Sequence, residues 1–189
     1  MILDLLRHGE TEQGGGLRGS LDDALTPQGW RQMREAIGTQ AAWDVLVSSP
    51  LQRCALFADE LGSRLGMPVL REPALQELHF GEWEGRSAAQ LMRSHAEQLG
   101  LFWADPYAYT PPGGEPVAAF AERVLTAIER LQQAHAGKRV LLVTHGGVMR
   151  LLLARARGLP REQLLQVEVG HGALMRLVQQ EGGQLSEPR

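Results

Sequence analysis

An arginine and a histidine stand side by side directly after a short apolar run, in the sequence Arg7-His8-Gly9. A neutral imidazole can act as a nucleophile, and the guanidinium fork of arginine matches the oxygens of a phosphate group. Glycine allows a tight turn and a close approach of the backbone to a ligand. The three residues therefore indicate phosphoryl transfer, although an exposed Arg-His pair explains this segment equally well when it is taken alone.

Two further basic residues lie where a phosphate group would be favourable. Arg53 is predicted to lie about one turn into a helix, where the helix dipole disfavours a cation unless an anion lies nearby. His145 ends the apolar run 140–144 and precedes Gly146, whose backbone N–H could bond a phosphate oxygen. Taken separately, a solvated arginine and a core histidine bonded to backbone also explain these positions.

Three carboxylates lie close together in residues 76–85, at Glu77, Glu82 and Glu84. Hydrolysis of a phosphate ester needs a group that protonates the leaving oxygen and then activates water. Each of the three carboxylates has the chemistry for that role, and this segment alone does not decide among them.

The elements that must position these residues alternate between strands and helices. Short runs rich in Val and Leu, with little polar alternation, predict strands that are buried on both faces. They lie at residues 2–6, 44–47, 68–70, 139–144, 164–169 and 173–178. This order favours an α/β sheet covered on both sides, in which ligands bind beyond the carboxyl ends of the strands.

Helix signals fill the intervals between these strands. Thr26 and Ser49, each followed by proline, are predicted to cap two helices, of which the second ends near Leu65. Apolar residues recur at helical spacing over 117–131, and a further helix is predicted over 148–156. Residues 80–116 are interpreted as an irregular, lid-like insertion over the site.

Length and composition limit the function. A chain of 189 residues favours one domain, and its net charge of −3 offers no general basic field for nucleic acid. Cys54 is the only cysteine, so there is no internal disulfide framework, which fits the cytosol. Without a signal-peptide pattern or an apolar run of membrane length, we expect a cytoplasmic protein with no membrane partner. The oligomeric state stays open, with a dimer among the alternatives.

Four segments, in order, resemble the motifs of the histidine phosphatase superfamily, in its phosphoglycerate mutase-like branch. They are Leu6-Arg7-His8-Gly9-Glu10-Thr11, Ser48-Ser49-Pro50-Leu51-Gln52-Arg53, Glu77-Leu78-His79-Phe80-Gly81-Glu82-Trp83-Glu84-Gly85 and Val143-Thr144-His145-Gly146-Gly147. The resemblance implies a three-layer α/β/α sandwich, with helices on both faces of a mostly parallel sheet. It also implies hydrolysis of a small phosphorylated metabolite without a cofactor or a metal.

The resemblance assigns a role to each candidate residue. His8 would be the nucleophile that carries the phosphoryl group, and Glu77 would be the proton donor. Arg7, Arg53 and His145 would complete the phosphate pocket. The substrate-binding residues that the resemblance implies are Thr11, Gly14, Arg18, Gly19 and Gly146, the last through its backbone.

Two positions depart from the family pattern, because Gly14 and His171 each stand where asparagine is frequent. Segments 18–26 and 111–115 are similar to those of bacterial α-ribazole phosphatases, which suggests α-ribazole 5′-phosphate as the substrate. The alternatives are a phosphoglycerate mutase, a module that binds a phosphorylated ligand without turnover, and a histidine-ligated metal hydrolase. The metal hydrolase is disfavoured because neither His-x-x-x-His nor His-Glu-x-x-His occurs.

Overall fold

The computed structural model describes residues 1–39 and 42–188. The strands are β1 (Ile2–Arg7), β2 (Val45–Ser48), β3 (Val69–Arg71), β4 (Arg139–Thr144), β5 (Leu174–Gln179) and β6 (Leu185–Ser186). The α-helices are α1 (Pro27–Ile37), α2 (Gln52–Leu65), α3 (Ala88–Ser94), α4 (Ala96–Ala104), α5 (Val117–Ala134) and α6 (Gly146–Ala156). Within these described ranges, no helix combines the length and the apolar character needed to cross a bilayer.

The strands form one sheet in the order β3-β2-β4-β1-β5-β6. Strands β1 to β4 run parallel, β5 pairs antiparallel with β1, and β6 pairs antiparallel with β5. Helices α5 and α6 cover one face of the sheet and helices α1 and α2 cover the other. The predicted three-layer α/β/α sandwich with a mostly parallel sheet is therefore confirmed.

Strand β4 illustrates why these strands read as continuous apolar runs. Val140 and Leu142 belong to the core beneath α5 and α6, whereas Leu141 and Val143 belong to the core beneath α1 and α2. Successive side chains of a strand point to opposite faces, so both sets must be apolar when both faces are covered. All four residues are at most 1% exposed.

The start of helix α2 differs from the prediction. Thr26 caps α1 as expected, with its hydroxyl accepting from the N–H of Gly29. Ser49, however, continues the course of β2, because its N–H donates to the carbonyl of Val143 at 3.0 Å. Helix α2 therefore begins only at Gln52, and a carboxylate oxygen of Asp22 accepts from the N–H of Gln52 at 2.7 Å. Asp22 thus satisfies a helix donor that the local sequence leaves open.

The predicted strand over 164–169 is wrong. Residues Arg161–Gln166 form a 3-10 helix, and the next residues run extended without joining the sheet. Their carbonyls are bonded to arginine side chains instead: Val167 accepts from Arg150 at 3.0 Å and Val169 accepts from Arg7 at 2.5 Å. An apolar run of this length does not by itself distinguish a strand from another buried segment.

The prediction that residues 80–116 are irregular is also wrong in part. A 3-10 helix at Gly81–Trp83 is followed by α3 and α4. Ser87 and Gln90 form a capping box that begins α3, which is the pattern that stabilises a helix N-terminus. Trp83 and Phe102 anchor the segment to the core, with ring centroids 5.8 Å apart. The turn-forming residues at 111–114 favoured an irregular structure for the whole segment, and the two short helices were therefore not predicted.

Asp4 is a buried carboxylate in β1 whose hydrogen bonds should make stability depend on pH. Burial alone would raise the pKa of Asp4, but hydrogen bonds from Arg176, Trp43 and Arg139 bring it below its usual value. Its contribution is therefore present above the unfolded-state pKa and lost as pH falls through the lower folded-state pKa. We expect Asp4→Asn to reduce the free energy of unfolding by about 2–3 kcal/mol at pH 7.

Urea unfolding at pH 7 and at pH 3 measures this effect. The difference between Asp4→Asn and the unaltered protein should shrink at the lower pH, because the carboxylate is then increasingly protonated. A difference that stays constant between the two pH values would show that the charge of Asp4 contributes nothing to stability.

Candidate active site

The two histidines singled out in the sequence lie at the carboxyl ends of neighbouring parallel strands. Arg7, the last residue of β1, is in register with Thr144, the last residue of β4. His8 and His145 follow these residues directly, and the N–H of His8 donates to the carbonyl of Thr144 at 3.0 Å. The two ring centroids are 5.4 Å apart. Strand register thus brings together side chains that are 137 positions apart in sequence (145 minus 8).

His8 is held in the tautomer that a nucleophile needs. Its Nδ1 lies 2.8 Å from the carbonyl of Gly9, which can only accept, so Nδ1 carries the proton and Nε2 bears a lone pair. Burial and the nearby guanidinium of Arg53 hold the pKa of His8 well below its usual value, despite the opposing effect of the Gly9 carbonyl. The ring is therefore neutral at neutral pH.

His145 is fully buried at the start of α6, and its ring is fixed by two side chains of the neighbouring motif. Nε2 lies 2.7 Å from the hydroxyl of Ser49, and the ring nitrogens lie 3.7 and 3.8 Å from the sulfur of Cys54. Burial, followed by the charge of Arg53, holds the pKa of His145 well below its usual value. Burial raises the pKa of the Cys54 thiol to about 12, so it stays protonated.

Sequence reasoning missed the contact between Ser49 and His145. It assigned the Ser49 hydroxyl to a helix cap, because Ser-Pro is a common helix start. No local signal separates the two roles of Ser49, because its contact with His145 joins residues that are 96 positions apart in sequence.

Arg53 is the second residue of α2, and its side chain is completely buried. Nη1 and Nη2 donate to the carbonyls of Leu21 and Gly19 at 2.5 and 2.8 Å. Asp23 lies 3.6 Å from Nη1 and provides the nearest negative charge. The Nε–H group is buried and has no hydrogen-bond partner among the residues that the structure describes.

Arg7 places a second guanidinium group near His8, in addition to that of Arg53. One terminal nitrogen donates to the carbonyl of Val169, whereas Nε is buried and unpartnered within residues 1–39 and 42–188. Burial lowers the pKa of Arg7, and Glu77 opposes that effect. Buried polar groups normally have partners, so two unpaired guanidinium N–H groups near His8 indicate a binding place for an anion.

Glu77 is the carboxylate that lies at this site. Its Oε2 accepts from the N–H of Gly147 at 2.8 Å, and its Oε1 accepts from the N–H of Leu78 at 2.9 Å. Glu84 instead binds the backbone N–H groups of Gly19 and Phe80, and it therefore clamps two loops together. Glu82 is exposed. Among the three carboxylates, only Glu77 is bonded to the first turn of α6 beside His145.

Gly147 is expected to be essential for the position of the Glu77 carboxylate. A Cβ atom at Gly147 would overlap Oε1 of Glu77. We expect Gly147→Ala to displace the carboxylate and lower kcat by about 10- to 100-fold, as for other losses of catalytic geometry. Steady-state kinetics measure the loss, and Gly100→Ala is the matched control, since a Cβ there meets open space. Unchanged kcat in Gly147→Ala would contradict the placement of Glu77.

The five residues with an implied substrate-binding role occupy different surroundings. Thr11 is buried and forms an isolated bridge with Leu25. Gly14 is exposed, with a φ of 69°. The side chain of Arg18 bonds Asp23 at 3.3 Å and three backbone carbonyls, and Gly19 is fixed between Arg53 and Glu84. Gly146 begins α6 against the side chain of Arg7. Their roles in substrate binding stay predictions.

A cavity of about 410 Å³ adjoins Glu77 and extends under the 80–116 segment. Its walls include the apolar side chains of Phe80, Phe102, Trp103 and Leu165, while Arg150 and Gln166 supply polar atoms. A larger cavity of about 660 Å³ between α5, α6 and the β5–β6 hairpin has none of the candidate residues in its lining. Within the described residues, no cluster of three or more His, Cys, Asp or Glu side chains is placed to hold a metal ion.

Comparison with known proteins gives consistent results. Residues 3–187 match the histidine phosphatase superfamily (branch 1). The chain is 34% identical over 176 residues to an adenosylcobalamin/alpha-ribazole phosphatase of Escherichia coli, covering 91% of this chain and 87% of the relative. It is 36% identical over 169 residues to a glucosyl-3-phosphoglycerate phosphatase of Mycolicibacterium vanbaalenii, covering 84% and 75%. The solved alpha-ribazole phosphatase of Shigella flexneri has a TM-score of 0.86 and 31% identity, with 100% of this chain and 95% of that chain covered.

Proposed function

The chain belongs to the histidine phosphatase superfamily (branch 1), and we propose that it hydrolyses a small phosphomonoester through a phosphohistidine formed on His8. The observation that carries this proposal is the meeting of two buried, unpaired guanidinium N–H groups with a neutral imidazole whose lone pair is on Nε2. This arrangement provides both a nucleophile and a place for a dianion.

The first half-reaction transfers the phosphoryl group to the protein. Nε2 of His8 attacks phosphorus in line, a P–N bond forms, and the P–O bond to the leaving group breaks. Glu77, in its protonated form, gives its proton to the departing oxygen, so the product leaves as a neutral alcohol. Arg7 and Arg53 stabilise the charge on the equatorial oxygens through their unpaired Nε–H groups, and His145 completes the pocket beside them.

The second half-reaction returns the protein to its starting state. The carboxylate of Glu77 takes a proton from water, whose oxygen attacks phosphorus while the P–N bond breaks. The electron pair of that bond returns to Nε2 of His8, and inorganic phosphate leaves. In this scheme the two arginines provide the charge compensation, so hydrolysis is expected to continue in EDTA.

The proposed substrate is α-ribazole 5′-phosphate, in which a ribose phosphate carries an aromatic base. Two findings support it: the similarity to alpha-ribazole phosphatases, and the largely apolar cavity beside Glu77. We further propose that helices α3 and α4 form a lid, since Phe102 and Trp103 of α4 line that cavity. Trp103 is 48% exposed, so its ring is accessible to a ligand bound in that cavity.

A panel of phosphate esters tests the reaction and the substrate together. The purified protein, with and without EDTA, is assayed on α-ribazole 5′-phosphate, glucosyl-3-phosphoglycerate and 3-phosphoglycerate. We expect the highest kcat/KM for α-ribazole 5′-phosphate. A higher value for glucosyl-3-phosphoglycerate would favour the function of the other relative. Transfer of phosphate between positions of 3-phosphoglycerate without release would indicate a mutase, and binding without turnover would indicate a ligand-binding module.

A further inference from the structure

A third histidine lies against the nucleophile. His171 is in the loop before β5, and its ring centroid is 5.7 Å from that of His8. The loop is fastened to the nucleophile segment by two backbone bonds: Gly172 donates to the carbonyl of His8 at 3.3 Å, and Arg7 donates to the carbonyl of Ala173 at 2.9 Å. These bonds hold the backbone of the His171 loop beside His8, within reach of the ring contact.

The ring of His171 is available to a ligand. It remains exposed to solvent, whereas His8 is 5% exposed, so His171 lies on the solvent side of the nucleophile. Neither of its ring nitrogens has a hydrogen-bond partner among the described residues. A polar ring that is held beside a nucleophile and left unpaired within the protein is suited to bind the group that the nucleophile receives.

We propose that His171 is a phosphate-binding residue that donates a ring N–H to an oxygen of the phosphoryl group on the solvent side of His8. The inference rests on the proposed function only in placing that group at His8. Arg7, Arg53 and His145 surround the phosphoryl group from within the protein, and His171 adds a contact from the opposite side.

The charges around His171 predict how phosphate affinity depends on pH. The charged and titratable groups that face it are Arg7, His8 and Glu10, while α1 presents the uncharged Gln32 against Gly172. Burial and Arg7 lower the pKa of His171, and Glu10 opposes them. A bound phosphate anion favours the protonated ring, so the contribution of His171 relative to His171→Ala should be largest in acid, where His171 is a cation, and smaller where it is neutral.

Equilibrium binding of inorganic phosphate tests this proposal without requiring turnover. The dissociation constant is measured by calorimetry from pH 5.5 to pH 8 for the unaltered protein, His171→Ala and His171→Asn. We expect His171→Ala to weaken binding about tenfold at pH 5.5 and only about two- to threefold at pH 8. His171→Asn retains a neutral donor, so it should bind almost as tightly as the unaltered protein at pH 8 but not at pH 5.5.

His135→Ala is the matched control, because His135 ends α5 near the amino end of β4, whereas the site lies at the carboxyl end of that strand. It should bind phosphate like the unaltered protein. Equal affinity of His171→Ala and the unaltered protein at every pH would overturn the proposal, even if esters are hydrolysed. Conversely, the expected binding ratios in a protein that hydrolyses no ester would support the role of His171 and refute only the proposed function.

Discussion

Replacement of His8 by alanine should lower kcat for phosphate esters by at least about 10⁴-fold, the scale seen when a catalytic nucleophile is removed. Without Nε2 of His8 no P–N bond can form, and water would have to attack the ester directly. Arg7, Arg53 and His145 remain in place, so affinity for inorganic phosphate should fall far less than kcat. Steady-state kinetics and phosphate calorimetry on the same preparation measure the two quantities.

Two controls separate loss of the nucleophile from loss of the fold. The urea midpoint of His8→Ala should show that the protein is still folded, because within the described residues the side chain makes a single hydrogen bond, from Nδ1 to the carbonyl of Gly9, besides its ring contacts with His145 and His171. His135→Ala, made in the same way, should keep full activity. If His8→Ala retained activity within tenfold of the unaltered protein, the assignment of the nucleophile would be wrong.

Replacement of Glu77 by glutamine should have the next largest effect, and its size should depend on the leaving group. An alkyl phosphate leaves as a poor alkoxide and needs the proton of Glu77, so we expect a loss of about 10²- to 10⁴-fold in kcat/KM. p-Nitrophenyl phosphate leaves as a stabilised phenolate and needs little protonation, so its loss should be much smaller. The two ratios are measured on the same enzyme preparation.

The glutamine side chain keeps the shape of Glu77, and its one oxygen can still accept from Gly147, so that only the bond from the N–H of Leu78 is lost. Glu82→Gln is the matched control, because Glu82 is a nearby exposed carboxylate outside the site. Glu82→Gln should have the same kcat/KM as the unaltered protein for both esters. An equal loss for the two esters in Glu77→Gln would contradict the role of Glu77 as the proton donor.

The strands of the sheet could be predicted because each one is marked by an apolar run within its own short segment of sequence. Apolar runs without alternation located β1, β2, β3, β4 and β5. The expected burial on both faces is wrong for β3, which is largely exposed, and for most of β5, because these strands lie towards the two edges of the sheet. The same logic placed His8 and His145 at the ends of two strands. It did not show that β1 and β4 are neighbours, because pairing depends on the whole topology.

The errors arose where distant residues replaced local partners. Ser49 looked like a helix cap, but Asp22 bonds the first N–H of α2 from a separate loop. The Ser49 hydroxyl lies 2.7 Å from Nε2 of His145 and accepts from the N–H of Leu51, before the helix, at 3.4 Å. The run 164–169 looked like a strand, but its carbonyls are bonded to the side chains of Arg7 and Arg150. Such contacts join residues that are far apart in sequence, so no local pattern reveals them.

The choice among the three carboxylates shows the same limit. Glu77, Glu82 and Glu84 were equivalent in the local sequence. The structure separates them by their partners, because Glu77 is bonded to Gly147 and Glu84 is bonded to the loop at Gly19. The resemblance to the histidine phosphatase superfamily favours Glu77 as the proton donor. The hydrogen bond from Gly147, which holds Glu77 beside His145, is a physical reason for the same choice.

The most direct test is to identify the residue that carries the phosphoryl group during turnover. The protein is mixed with a ³²P-labelled ester, quenched in alkali within milliseconds, digested and analysed by mass spectrometry. We expect an alkali-stable, acid-labile phosphoryl group on the peptide containing His8, and none in His8→Ala. Label on another residue, or turnover without any labelled protein, would contradict the account.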